Sequence, residues 1–114
     1  MTHKMNLNKN SFNMIKNGEK TIELRLNDEK RQQLKIGDYI EFYNIKDNNE
    51  FIFVEITNIF KFDTFKELYK SLDLKKCGYK QDELPNAKHE DMLAYYSIQN
   101  QLKYGVFGIE IKVL

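Results

Sequence analysis

The sequence predicts an α+β fold: a small mixed β-barrel or curled sheet whose ends are closed by short helices. Three observations point there. Apolar residues recur in short runs of strand period, separated by brief stretches of helical period. No regular β-α-β rhythm calls for a doubly wound parallel sheet. The 114 residues, 41% of them hydrophobic, suffice for one core and one domain spanning 1–114.

Taken in order, Lys4 to Leu7 reads as a short first strand. A brief helix follows, capped by Asn10 or Ser11, burying Phe12 and Ile15 and stopped by Asn17-Gly18. From Thr21 to Leu26 the residues alternate, so Ile22, Leu24 and Leu26 face a core while Thr21, Glu23 and Arg25 line the other face. Asn27-Asp28-Glu29 caps one or two helical turns to Leu34, and Ile36-Gly37-Asp38 is a turn. The second clear strand is Tyr39–Tyr43, with Ile40 and Phe42 on one side.

Lys46-Asp47-Asn48-Asn49-Glu50 reads as a hairpin loop, and the return strand runs from Phe51 to about Phe60. Its opening, Phe51-Ile52-Phe53-Val54, is apolar on both faces, which predicts a central strand covered on each side. Thr64-Phe65-Lys66-Glu67 fits a capping box for a helix that buries Phe65, Leu68, Tyr69 and Leu72. Lys75 to Ala87, with the only proline, reads as a loop. A helix over Lys88–Tyr96 should bury Met92, Leu93 and one of Tyr95 and Tyr96. Ser97 then caps a short helix ending at Tyr104-Gly105, and Val106–Val113 is the last strand, with Phe107, Ile109, Ile111 and Val113 inward.

Composition excludes several classes of function. A net charge of +1 gives no overall basic field of the kind long nucleic-acid grooves use. The first half is mildly basic, with nine basic and six acidic residues through Lys46, which allows a local anion site. One cysteine, Cys77, rules out an internal disulfide framework and fits a reducing compartment. Its neighbours Lys75 and Lys76 suggest a lowered thiol pKa, but no motif surrounds it and it is given no role. His3 and His89 with one cysteine make no standard zinc site, which leaves carboxylate-based binding of magnesium or calcium open; no metal and no cofactor are expected. No apolar run reaches the roughly eighteen residues of a membrane span. The expected location is cytoplasmic.

The stretch richest in chemistry is Gly18-Glu19-Lys20-Thr21-Ile22-Glu23-Leu24-Arg25-Leu26. It places an ammonium, a hydroxyl, a carboxylate and a guanidinium close together, with Lys20 at the mouth of the strand, free to swing over either rim. The same residues also fit a plain surface strand carrying a stabilising Glu23–Arg25 pair.

Four pieces in order carry a likeness: Ser11-Phe12-x-x-Ile15-x-x-Gly18-x-Lys20-Thr21-x-Glu23-x-Arg25-Leu26, Leu34-x-Ile36-Gly37-Asp38-x-Ile40-x-Phe42, Met92-x-x-Tyr95-Tyr96-Ser97, and Tyr104-Gly105-Val106-x-Gly108-Ile109. Through them the chain resembles the ASCH domain family of the PUA-like superfamily. The resemblance implies a small PUA-like barrel with a cleft beside the G-x-K strand, and RNA or a modified nucleoside as partner. Lys20 and Arg25 would hold a phosphate or base edge, and Glu23 would accept from a base amino group. Thr21, Tyr96, Ser97 and Tyr104 would complete the site, with tyrosines such as Tyr39, Tyr43 and Tyr95 also able to stack a base.

One branch of the family is similar to small amidohydrolases that remove the acetyl group from 4-acetylcytidine. There a lysine, a threonine three residues later and a distal acid act together. In this chain the lysine is Lys20, the threonine position holds Glu23, and the acid falls near Asp73. An enzyme would therefore rely on Lys20 and Glu23 as acid and base, their pKa values moved apart by burial. A slow ribonuclease using Lys20 or Arg25 with Tyr96 or Ser97 is the related alternative, although Ser97 fits a helix cap better than a nucleophile.

Overall fold

The computed structural model describes residues 1–114, the side chain of Asn48 excepted. Among the described residues five strands form one curled sheet: β1 (Thr2–Leu7), β2 (Ile22–Leu26), β3 (Tyr39–Asn44), β4 (Asp47–Phe62) and β5 (Val106–Val113). Three α-helices accompany them: α1 (Lys9–Lys16), α2 (Phe65–Ser71) and α3 (Ile98–Tyr104). The strand order is β1-β3-β4-β5-β2. β1 pairs parallel with β3, and the remaining pairs are antiparallel. β1 and β2 are thus the two edges, and the sheet is a half-barrel with its seam between them.

Two apolar cores lie on opposite faces. Inside the curl, Phe12 and Ile15 of α1 pack with Met5, Leu7, Ile40, Phe42, Val54, Ile56, Phe107 and Ile109. On the other face, Phe65 and Leu68 of α2 and Met92 pack on Ile22, Leu24, Leu26 and Val106. A single long strand serves both. β4 places Val54 and Ile56 in the inner core; a bulge then shifts the register between Ile56 and Asn58. Beyond it Ile59 packs on the inner core while Phe60 and Phe62 join the outer one. The extra residue changes which parity points inward, so one strand can change sides without breaking.

Several boundaries differ from the expectation. β1 begins at Thr2, and the cap of α1 is Asn8, whose side chain accepts from the Ser11 N–H; neither Asn10 nor Ser11 caps it. The turn between β3 and β4 is only Ile45-Lys46, because the polar residues Asp47–Glu50 continue the strand. β4 is central, but its outer face carries cross-strand aromatic pairs, Tyr39 on Phe53 and Tyr43 against Phe51, and Phe51 stays exposed. Thr64 makes no side-chain cap at α2; the free Phe65 N–H donates to Gln101 Oε1 instead.

The turns expected up to Leu34 shorten to one 3-10 turn, Arg31–Gln33. Lys88–Tyr96 is likewise not an α-helix but a 3-10 segment, His89–Ala94, that buries Met92 and leaves Leu93 and Tyr95 exposed. Tyr96 is the paired tyrosine that turns inward, stacking on Phe65. Ser97 does cap α3, accepting from the Asn100 N–H. At the end of β5, Val113 is exposed rather than inward.

Candidate functional site

β2 is buried on both faces, and that is what makes the site. Glu23 sits across from Ile109 and Arg25 across from Phe107. Directly paired residues point to the same face of a sheet, so both charged side chains enter the inside of the curl, at the rim of the inner core. The expected surface ion pair is therefore an internal one: Glu23 is 5% exposed and Lys20 9%.

Lys20 reaches this position through the turn that ends α1. Gly18 takes φ +80, a left-handed conformation that favours glycine, and the Glu19 and Lys20 N–H groups both donate to the Met14 carbonyl. Lys20 thus does not swing freely at the strand mouth. Its stem lies under Gly78 (φ +110), where an added Cβ would stand 3.2 Å from the Lys20 Cδ. The segment carrying Gly78 is tied down in turn, since the Thr21 and Ile22 N–H groups both donate to the Lys76 carbonyl at 2.9 Å.

The three charges share hydrogen bonds. Lys20 Nζ is 2.8 Å from Glu23 Oε1, and the Arg25 Nε and Nη2 lie 2.9 and 2.8 Å from Glu23 Oε2. Lys20 also donates to Ser11 Oγ at 3.3 Å, and Arg25 Nη2 to the Asn6 carbonyl at 2.8 Å. Burial pushes the Glu23 carboxyl up, but Lys20 and then Arg25 outweigh it and hold the group below the usual carboxylate range. Burial likewise acts to lower the Arg25 guanidinium, and Glu23 with Tyr96 reverses the sign and raises it. The triad carries one net positive charge.

Beside these groups opens a cleft of about 520 Å³ at the seam between β1 and β2, within the range of roughly 300–1,000 Å³ common for small-molecule sites. Asn6, Asn8 and Ser11 form one side, Lys20, Glu23 and Arg25 the floor, and Tyr69, Tyr79, Asp91 and Tyr96 another wall. Cys77 also faces it. Burial pushes that thiol up to about 12, against the opposing pull of Lys20; the neighbouring lysines do not lower it as their place in sequence suggested.

Of the residues singled out from sequence, Lys20, Glu23, Arg25 and Tyr96 line one cleft. Thr21 does not. It turns to a second hollow together with Asp73, Lys75 and Lys76, which also puts Asp73 outside the cleft. Tyr104 packs in the outer core beneath Lys103, and the Ser97 hydroxyl is taken by its cap. Tyr69, Tyr79 and Asp91 come from stretches read as a core helix, a loop and the helix over Lys88–Tyr96, with no local pattern to reveal them. Ser11 stood at the head of the quoted motif, and only the fold brings its hydroxyl to Lys20.

Comparison with known proteins places this architecture. The family model for the ASCH domain matches residues 5–114. The hypothetical protein PH0355 is 33% identical with a TM-score of 0.82, all of each chain being covered. Protein PF0455 from Pyrococcus furiosus is 33% identical with a TM-score of 0.72, covering 100% of this chain and 98% of that one. The ASCH domain from Lactobacillus crispatus JV V101 shares the fold at 14% identity and a TM-score of 0.66, over 98% of this chain and 79% of that one. No curated protein matches the chain by sequence. With a half-barrel of this topology and a family match over nearly its whole length, the chain belongs to the ASCH domain family.

Proposed function

We propose that the cleft at the β1–β2 seam binds RNA or a modified nucleoside, one base lying against Lys20, Glu23 and Arg25. The observation that carries this reading is the buried triad at the floor of a cleft of about 520 Å³. Charged groups are rarely buried without reason; here they are held by mutual hydrogen bonds and still border an open space. Lys20 and Arg25 offer donors to carbonyl or ring-nitrogen acceptors, and Glu23 offers acceptor capacity to an amino group. Tyr95 at the rim and Tyr96 in the wall supply aromatic surface for a base.

Titration calorimetry with 4-acetylcytidine and with a short single-stranded RNA tests this. Saturable binding that weakens at least about tenfold in Lys20→Ala or Arg25→Ala supports the reading. Retention of full affinity in both variants places the ligand elsewhere.

A second reading, deacetylation of 4-acetylcytidine-type nucleosides, draws on the Ser11 hydroxyl 3.3 Å from Lys20 Nζ. That contact supplies a hydroxyl beside the lysine although Glu23 occupies the threonine position. Against it, Lys20 donates to Glu23, and a carboxyl held low is a weak base. Formation of cytidine from 4-acetylcytidine, lost in both Ser11→Ala and Lys20→Ala, would turn the assignment from binding to hydrolysis.

A further inference from the structure

A wall of the cleft carries its own polar chain. The Tyr79 hydroxyl donates to Asp91 Oδ2 at 2.7 Å and stands 2.7 Å from the Tyr69 hydroxyl. A phenol has one proton; with Tyr79's given to the carboxylate, Tyr69 must be the donor to Tyr79. The order is therefore Tyr69 to Tyr79 to Asp91. The Lys88 N–H adds a second bond to Asp91 Oδ2 at 3.3 Å. Among the described residues no partner is found for Asp91 Oδ1, and Asp91 lines the cleft.

The charges around the cleft complete the picture. Among the described residues it is lined by Lys20, Arg25 and Lys80 on the positive side and by Glu23, Glu83 and Asp91 on the negative side. They balance. The floor cations, Arg25 on β2 and Lys20 on the turn leading into it, offer donors, whereas Asp91 comes from the 3-10 segment and as a carboxylate only accepts. A ligand suited to both carries acceptors on a ring and donors on hydroxyls, with no charge of its own.

We propose that Asp91, held by Tyr79 and Tyr69, is the sugar-recognising group of the cleft. It accepts from the ribose hydroxyls of a nucleoside whose base meets the triad. The inference rests on the reading of the cleft as a nucleoside site. Carboxylates recognise ribose 2′-hydroxyls elsewhere by the same chemistry. It further requires that a phosphate on the sugar be unwelcome, because the dianion would meet the Asp91 carboxylate. The preferred ligand class is then the uncharged ribonucleoside, ahead of its nucleotide and its deoxy counterpart.

Calorimetric titration with 4-acetylcytidine, its 2′-deoxy analogue and its 5′-monophosphate tests the assignment. The wild-type protein is expected to favour the ribonucleoside over the deoxynucleoside by about tenfold or more, as for a hydrogen bond to a charged group. It should disfavour the monophosphate. Asp91→Asn should erase most of the ribose preference and lessen the penalty on the phosphate. Tyr79→Phe, which leaves the carboxylate held by the Lys88 N–H alone, should weaken the preference less; it provides the same readout should Asp91→Asn fail to fold. Equal affinity of the wild type for ribose and deoxyribose forms, with binding still lost in Lys20→Ala, overturns this inference and leaves the nucleoside site standing. A protein that takes up none of the three ligands overturns this inference together with the nucleoside reading, leaving the titration with single-stranded RNA to decide the rest of the proposed function.

Discussion

The guanidinium of Arg25 on β2 donates to the main-chain carbonyl of Asn6 on β1 at 2.8 Å. These are the two edge strands of the half-barrel, so one side chain ties the seam where the sheet itself makes no ladder. The same guanidinium holds Glu23. A planar fork can serve both partners at once, whereas an ammonium is a point donor on a flexible stem. Arg25→Lys is therefore expected to keep the charge and lose the tie. Stability should drop by about 1.5–3 kcal/mol, the range for hydrogen bonds to charged groups, and β1 amides should exchange faster with deuterium. Unchanged exchange along β1 would mean that the Asn6 bond does not hold the edge.

Glu23 connects the triad to acid stability. Its folded-state pKa lies below the ordinary 4.5, so its contribution is fully present above pH 4.5 and is lost as pH falls through the lowered folded value. Glu23→Gln leaves Lys20 and Arg25 facing one another without their anion. Removing one partner of a buried ion pair typically costs about 3–5 kcal/mol. The variant should show that loss in urea unfolding at pH 7, and the gap to the wild type should narrow as pH falls below 4.5. A gap that stays constant down to the lowest pH at which both proteins fold would contradict the ionic origin of the effect.

Gly78 tests the support beneath Lys20. Its φ of +110 disfavours any other residue, and an added methyl meets the Lys20 stem at 3.2 Å. Gly78→Ala is expected to destabilise the fold by at least about 1 kcal/mol through backbone strain. It should also weaken ligand binding by displacing Lys20, though it touches no charged group. Loss of stability with unaltered affinity would separate Gly78 from the site.

The strand alternation of Ile22–Leu26, the central place of β4 and the cap at Ser97 were legible because each is written in a few adjacent residues. Burial of Glu23 and Arg25 was not. Periodicity tells which residues share a face and is silent on whether that face is solvent or the inside of a curl; here only pairing with Ile109 and Phe107 decides it. The bulge between Ile56 and Asn58 was equally hidden, since it depends on the partner strand. Thr21 and Tyr104 were grouped with the site by adjacency to its motifs. The turn into β2 sends Thr21 to the other hollow, and Tyr104 is required by the outer core. Asp91 shows the converse: a residue inside the stretch expected to be a helix lines the cleft, carried there by the 3-10 segment.

Cys77 offers a probe of whether the segment that it shares with Gly78, lying over the Lys20 stem, opens. The thiol is buried, and its pKa is pushed up to about 12, chiefly by burial. Only a thiolate attacks a disulfide reagent, so in the folded protein the reactive form is scarce at pH 8 and becomes abundant only as pH approaches the raised value. In denaturant the group returns to the ordinary range of about 8.5 and reacts readily. Titration with an aromatic disulfide reagent at pH 8 should give slow reaction in buffer and fast, stoichiometric reaction in urea. Since Cys77 lines the cleft, a nucleoside seated there should slow the native reaction further. Fast native reaction at pH 8, unaffected by 4-acetylcytidine, would mean that the segment over Lys20 opens readily and that the nucleoside does not cover the thiol.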